Sequence, residues 1–310
     1  MPVITSAVLG AINNGLNLAY NTQLYAAVDP TKPFTFDANS TGASEVYPSL
    51  GMLKGVREWI GAREVQSLSQ TQFSIANKTF EETIAIKRED IEDDKYGMYS
   101  VVAGQMGQDA GQLPPLLKAR LLLSGQTGIG PDGKPYFGNH STFDANGRAT
   151  TVSNLAVVTG NGAVQGAPWY LFDTSKILKP LIYQRRRDFQ LTTRFNLADP
   201  SVFDNNEFTW GIDGRCNAGY GLWQLAFMST QPLNVTNLIA ARTAMAAIRR
   251  PNGTPMGIVP DTIVCGSTLF PLAQSLYRDQ LIGSDPTTPT TLVANQVIGM
   301  FKPIELLWLN

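Results

Sequence analysis

Between residues 73 and 121 the apolar residues change their spacing once, and one kind of element cannot satisfy both halves. Phe73 and Ile75 alternate with polar residues, and Phe80, Glu82, Ile84 and Ile86 alternate again after Asn77-Lys78. A period of two places alternate side chains on one face of a strand. Asn tolerates positive φ, so 58–88 reads as a β-hairpin with its turn at Asn77-Lys78. From Tyr99 the period becomes three or four: Val102, Met106, Ala110, Leu113, Leu117 and Leu121 continue one stripe. That predicts a helix over 89–124, with Asp90, Glu92, Asp93 and Asp94 at its start, where carboxylates favour the positive end of the helix dipole. Pro114-Pro115 is expected to kink or split it. Gly104, Gly107 and Gly111 lower its propensity, so the stripe must dock on something. Two strands alone are marginal in water and need a surface beneath them.

Residues 1–57 lack such a pattern and read as an arm, either disordered or laid along a partner. Downstream, 125–168 reads as extended loop with short strands. Residues 169–230 are β-rich, with strands at Trp169-Tyr170-Leu171-Phe172, Leu181-Ile182-Tyr183-Gln184, Glu207-Phe208-Thr209-Trp210-Gly211 and 222–227. A helix is expected from Asn234 to Arg250, stopped by Pro251-Asn252-Gly253, then a buried strand at Thr262-Ile263-Val264-Cys265. Ser267 is expected to cap a helix reaching Ile282. A Thr/Pro loop at 285–291 precedes a last strand near 302–309. The chain is α+β.

Composition excludes several function classes. Lys plus Arg number 24 and Asp plus Glu 25, a net charge of -1, which argues against a strongly basic grip on nucleic acid. Only 16% of residues are charged, against about 25% in an average soluble domain, so much of the surface is expected to be covered by neighbours. The first basic residue is Lys32, which leaves no positive start for a signal peptide. No apolar run approaches the ~18 residues of a membrane span. Cys216 and Cys265 read as reduced, packed thiols.

The motifs point away from an enzyme. Residues 128–135, Gly-Ile-Gly-Pro-Asp-Gly-Lys-Pro, fit the dinucleotide pattern and nearly fit a P-loop. Both require a strand before and a helix after; here a helix precedes, and Pro135 replaces the required Ser or Thr. A turn-rich loop is the better reading. His140 is the only histidine, which excludes any site needing two and leaves a hydrolase built on His140 as a poor alternative to a structural or solvated side chain. The acidic run 89–94 is either a cation site or a solvated helix start, and it lacks the Gly of a calcium loop. Arg185-Arg186-Arg187 is either a phosphate contact or, better, a strand end or subunit contact. No catalytic residue, cofactor or metal is expected.

At residues 74–83 (Ser-Ile-Ala-Asn-Lys-Thr-Phe-Glu-Glu-Thr) and 88–99 (Arg-Glu-Asp-Ile-Glu-Asp-Asp-Lys-Tyr-Gly-Met-Tyr) the chain resembles the Mu-like phage major head protein family. The resemblance extends to Glu58-Trp59-Ile60-Gly61-Ala62-Arg63, 132–137, 169–173, 179–184 and 219–224, colinear over most of 58–230. It implies a Hong Kong 97-type capsid fold: N-terminal arm 1–57, extended loop hairpin 58–88, peripheral domain 89–230 with spine helix 89–124, and axial domain 231–310. It also implies a shell subunit of a tailed-phage head that encloses double-stranded DNA with weak contact, with an encapsulin-like compartment as the alternative. Its partners would be copies of itself as hexamers and pentamers, with scaffold, portal and decoration proteins beside them. It would be made in the host bacterial cytoplasm, end in the virion and have no membrane contact. Trp59, Arg63, Phe73, Ile75, Asn77, Lys78, Phe80, Ile84 and Ile86 are the candidate subunit contacts, because the alternating apolar row is one that monomers rarely leave wet. Relatives of this fold that join a loop lysine to an asparagine make Lys78 a candidate cross-linker, the alternative being a salt bridge or hydrogen bond.

Overall fold

The computed structural model describes residues 5–48, 72–93, 96–160, 164–196, 199–283 and 292–310, with 56, 58, 59, 61 and 63. Most of the loop before residue 72, Asp94 and Lys95, and all of the Thr/Pro loop 285–291 lie outside the described residues. In chain order the elements are α1 (Ser6–Ala26), β1 (Thr35–Asn39), β2 (Ser44–Pro48), β3 (Gln72–Ala76), β4 (Lys78–Lys87), α2 (Arg88–Glu92), α3 (Tyr96–Leu123), β5 (Asn139–Phe143), β6 (Ala149–Ser153), β7 (Leu155–Ala156), β8 (Trp169–Phe172), β9 (Leu181–Arg194), α4 (Pro200–Asn205), β10 (Glu207–Tyr220), β11 (Ala226–Ser229), α5 (Val235–Ala246), β12 (Thr262–Cys265), α6 (Phe270–Arg278), β13 (Leu281–Gly283), β14 (Leu292–Ala294) and β15 (Lys302–Glu305).

A four-stranded sheet in the order β1-β9-β10-β4 forms one half. β9 and β10, 14 residues each, run antiparallel with irregularities around Asp213, Arg215 and Cys216. α3 lies against this sheet: Leu117 packs with Cys216 and Ala218, and Met106 and Ala110 with Ile212. The alternating residues of β4 therefore meet a helix rather than water. α3 runs unbroken for 28 residues through Pro114 and Pro115, so the expected split does not occur. Two prolines withhold N–H donors from the carbonyls of Ala110 and Gly111, and packing on both sides holds the helix through that loss.

The arm is also a correction. Thr5 caps α1 by accepting from the Val8 N–H at 3.3 Å, and Leu9, Leu16 and Tyr20 are buried from this helix into its own subunit. Gly104, Gly107 and Gly111, expected only to weaken α3, form the seam on which α1 lies. A Cβ at Gly107 would fall far inside van der Waals contact with the Tyr20 carbonyl, and one at Gly111 would strike the Ala27 methyl. Past the end of α1, Asp29 receives Lys118 Nζ at 2.5 Å from α3.

The second half is a five-stranded sheet in the order β15-β12-β8-β11-β7. β8, β11 and β12 are buried throughout and lack a polar face, as strands covered on both sides must. α5 and α6 contribute Leu238, Met245, Ala273 and Leu276 to its core. β7, β8 and β11 precede residue 230 while β12 and β15 follow it, so a division there passes through one sheet. α5 starts after Asn234 as expected, with the Asn234 side chain capping it by accepting from Asn237 N–H at 2.8 Å, but the helix ends at Ala246. α6 starts at Phe270 rather than at a Ser267 cap and ends at Arg278, before Ile282.

Candidate subunit interface

The hairpin expected at Asn77 is built differently. β3 and β4 do not pair with each other. β3 pairs antiparallel with β2, Tyr47 opposite Phe73 and Glu45 opposite Ile75, while β4 pairs antiparallel with β10 from Lys87–Glu207 to Lys78–Cys216. The extended hairpin is thus β2–β3, and its first strand comes from the segment read as arm. Asn77 is the junction between two ladders. Its backbone N–H donates to the Ala43 carbonyl at 2.9 Å, and Nδ2 donates to Ser40 Oγ at 2.7 Å and the Gly42 carbonyl at 2.9 Å. Its Oδ1 accepts from Gln184 Nε2 at 2.8 Å. These bonds use the polar side chain that marked Asn77 as a turn residue.

Gln184, fully buried on β9, anchors the hairpin to the sheet. It donates to the Ile75 carbonyl at 3.0 Å and accepts from Tyr47 Oη at 2.9 Å. Ile75 itself is buried against Gly219, where a Cβ would collide with it. Phe73 stacks on Tyr47 with ring centroids 5.3 Å apart. At the base, Glu45 Oε1 accepts from Thr41 N–H at 2.6 Å, Gly42 N–H at 2.9 Å and Ser40 Oγ at 3.0 Å. The Gly42 and Thr41 amides, with Ser40, hold the Glu45 carboxyl below the usual carboxylate range. Gln184 and Glu45 were invisible to apolar spacing. The one signal was a glutamine closing the apolar run Leu181-Ile182-Tyr183.

The β4 row is spent inside the subunit, which corrects the expectation of a free apolar face. Ile86 is buried with Phe208 and Trp210, Ile84 packs on both the α1 and α3 clusters, and Phe80 packs beside Leu117 and Cys216. The side chains left outward are polar apart from Ala85: Lys78 and Thr79 at the start, then Glu81, Thr83 and Lys87. Before β3, Trp59 is 67% exposed, its Nε1 donating to the Gly61 carbonyl at 2.8 Å with the Arg63 guanidinium 4.6 Å over its ring. Such an exposed pair contributes about 0.5–1 kcal/mol. It leaves most of a tryptophan facing outward.

The remaining motifs are structural. His140 is buried on β5, stacked on Trp223 at 4.0 Å, with Nδ1 2.6 Å from Asp132 Oδ2 and Nε2 3.2 Å from the Tyr136 carbonyl. Both ring nitrogens are committed, so neither faces a nucleophile. Burial alone would raise the Asp132 carboxyl; the His140 hydrogen bond and charge outweigh it and hold it low. Residues 128–135 close into a turn by an Ile129–Pro135 bridge, with Gly133 at φ +75°. Arg185 pairs with Asp188 at 3.3 Å and Arg187 with Asp213. Among the described residues no three His, Cys, Asp or Glu gather as a metal-binding group. None of their helices is long and apolar enough to cross a membrane.

A long helix under a four-stranded sheet, an extended hairpin tied to that sheet and a second buried sheet define a capsid subunit of the Hong Kong 97 type. Among solved structures, the procapsid protein of bacteriophage JBD30 is similar with a TM-score of 0.80 and 35% identity, covering 98% of this chain and 100% of that one. The JBD30 capsid has the same fold with a TM-score of 0.78 at 23% identity, over 100% of both chains. The chain belongs to the Mu-like prophage major head subunit gpT family, whose model matches residues 9–301. The major capsid protein of Escherichia phage Mu is 33% identical over 304 residues, 97% of both chains. The Mu-like prophage FluMu major head subunit of Haemophilus influenzae is 34% identical over 248 residues, 79% of this chain and 80% of that one.

Proposed function

We propose that this chain is the major building unit of a tailed-phage head, closing by self-association into a shell around double-stranded DNA, without catalysis. The observation that carries the reading is end-to-end likeness in fold and sequence to a procapsid subunit. Copies assemble as hexamers and pentamers made in the host cytoplasm, with scaffold, portal and decoration proteins as further partners. The four-stranded sheet with α1 and α3 serves as peripheral domain, and the five-stranded sheet with α5 and α6 as axial domain. The β2–β3 hairpin belongs to the extended loop. Trp59, Arg63, Phe73, Asn77 and Lys78 lie on or beside that hairpin and reach the next subunit, Lys78 through an ordinary polar contact. Ile75, Phe80, Ile84 and Ile86 support the contact from within.

Permanent assemblies of this kind bury about 2,000–5,000 Å² per interface set, which matches a chain poor in surface charge. The test is electron microscopy of the purified protein, alone and with scaffold. Closed shells containing nucleic acid after expression with the packaging machinery are expected. A strictly monomeric species in every condition would overturn the reading, and shells filled with cargo protein but free of DNA would favour the encapsulin-like alternative.

A further inference from the structure

One edge of the four-stranded sheet is open. β4 pairs with β10 along all ten of its residues in unbroken register, and among the described residues no strand lies on its other side. Open edges are usually blunted by proline, a bulge, a short strand or charged side chains. β4 has no proline, bulge or shortening, and its charges, Lys78, Glu81, Glu82 and Lys87, are of both signs. Its row pointing away from the helices is exposed Glu81, Thr83, Ala85 and Lys87. Glu81 is steadied by the Thr83 hydroxyl at 2.9 Å. Lys87 has no ion-pair partner among the described residues. An acid at one end of this row and a base at the other make the edge complementary to itself when run antiparallel.

Resting on the reading of a self-assembling shell, we propose that β4 pairs with β4 of a second copy about a two-fold axis through Ile84. Residues opposite one another in an antiparallel pair face the same side, so Glu81 meets Lys87 of the second copy twice, and Thr83 meets Ala85 twice. The helices of both copies then lie on one side of a continuous eight-stranded sheet. A shorter register with Phe80 on the axis would set Lys78 against Glu82. It overlaps five residues of β4 instead of seven and places Thr79 opposite Glu81.

The experiment uses assembled particles of the full chain. The native Cys216 and Cys265 are both buried, so introduced thiols report alone. Particles mixed from Thr83→Cys and Ala85→Cys subunits are oxidised and run on a non-reducing gel. Linked dimers in the mixture, and far fewer in either variant alone, are expected. Particles that form normally without that link, or that link only through Thr79→Cys and Glu81→Cys, overturn this pairing while leaving the shell reading intact. Failure of the unaltered protein to assemble at all would overturn the shell reading instead. Charge reversal gives a second readout that needs no disulfide. Glu81→Lys and Lys87→Glu should each raise the concentration needed for assembly roughly tenfold, through two repulsive cross-strand pairs. The double variant should restore it, and a double variant no better than the singles would refute the pairing.

Discussion

Lys118 occupies a place that a lysine ordinarily cannot. Its side chain is 0% exposed, and its only ion-pair partner among the described residues is Asp29, itself held by the Thr31 backbone N–H at 2.8 Å. The Tyr183 ring lies 5.1 Å from the ammonium. Burial lowers the Lys118 pKa, against the pull of Asp29. The two partners are unequal, because Asp29 keeps 13% exposure. Asp29→Ala would strand a buried cation and should cost about 3–5 kcal/mol. Lys118→Met leaves a carboxylate that water can reach and fills the same volume, so it should cost clearly less. Urea unfolding of the two variants measures the order, and the reverse order would refute it. Glu45 makes a pH argument in the opposite position, on the surface. Its folded pKa is depressed by the Gly42 and Thr41 amides. Its contribution is therefore present above the unfolded carboxylate pKa and lost as pH falls through the lower folded value. Wild type and Glu45→Gln should differ in hairpin protection, read by hydrogen exchange at Thr41 and Gly42, at neutral pH and converge in acid. A difference that persists unchanged in acid would refute it.

At the scale of elements, the α1–α3 seam separates glycines that look alike in sequence. A Cβ at Gly15 on α1 meets nothing within 4 Å, whereas one at Gly107 meets the backbone of Tyr20 and Leu24. Gly15→Ala should stabilise by about 0.5–1 kcal/mol through helix propensity. Gly107→Ala gains the same propensity but forces two helix backbones apart, at a cost of about 1–3 kcal/mol, and should lower the thermal midpoint. Calorimetry of both variants tests the pair. The same seam shows what was legible beforehand. Period-two and period-four spacing located β4 and α3 because their apolar faces dominate their sequences. The strands at 169, 181, 207 and 262 were legible for the same reason. α1 was not, because it buries only Leu9, Leu16 and Tyr20 and depends on glycines of another element. The partner of β3 was not legible either. Asn77 carries turn chemistry, yet whether it closes a hairpin or splices two ladders is decided by Ser40, Gly42 and Gln184, which lie far from it in sequence. Of the candidate contacts, Ile75, Phe80, Ile84 and Ile86 pack inside the subunit, while Trp59 stays exposed.

For the whole molecule, the question is how a head can enclose a polyanion without being held by it. Each phosphate neutralised by a cation contributes about −0.9 to the slope of log affinity against log salt. The chain carries one more acidic than basic side chain, so no large field draws duplex DNA onto it. The one arginine run is largely self-neutralised: Asp188 sits on Arg185 and Asp213 on Arg187, and only Arg186 lacks an ion-pair partner among the described residues. The run also straddles the irregular stretch of β9 and β10 rather than a helix N-terminus that could add backbone donors. Unassembled subunits titrated onto a short duplex should therefore bind weakly, with a slope no steeper than about −3. Asp213→Asn, which frees Arg187, should steepen it by up to about one contact, a change of about 0.9. A wild-type slope near about −6 would mean that residues beyond this run grip the phosphates, and the picture of a neutral lining would fail.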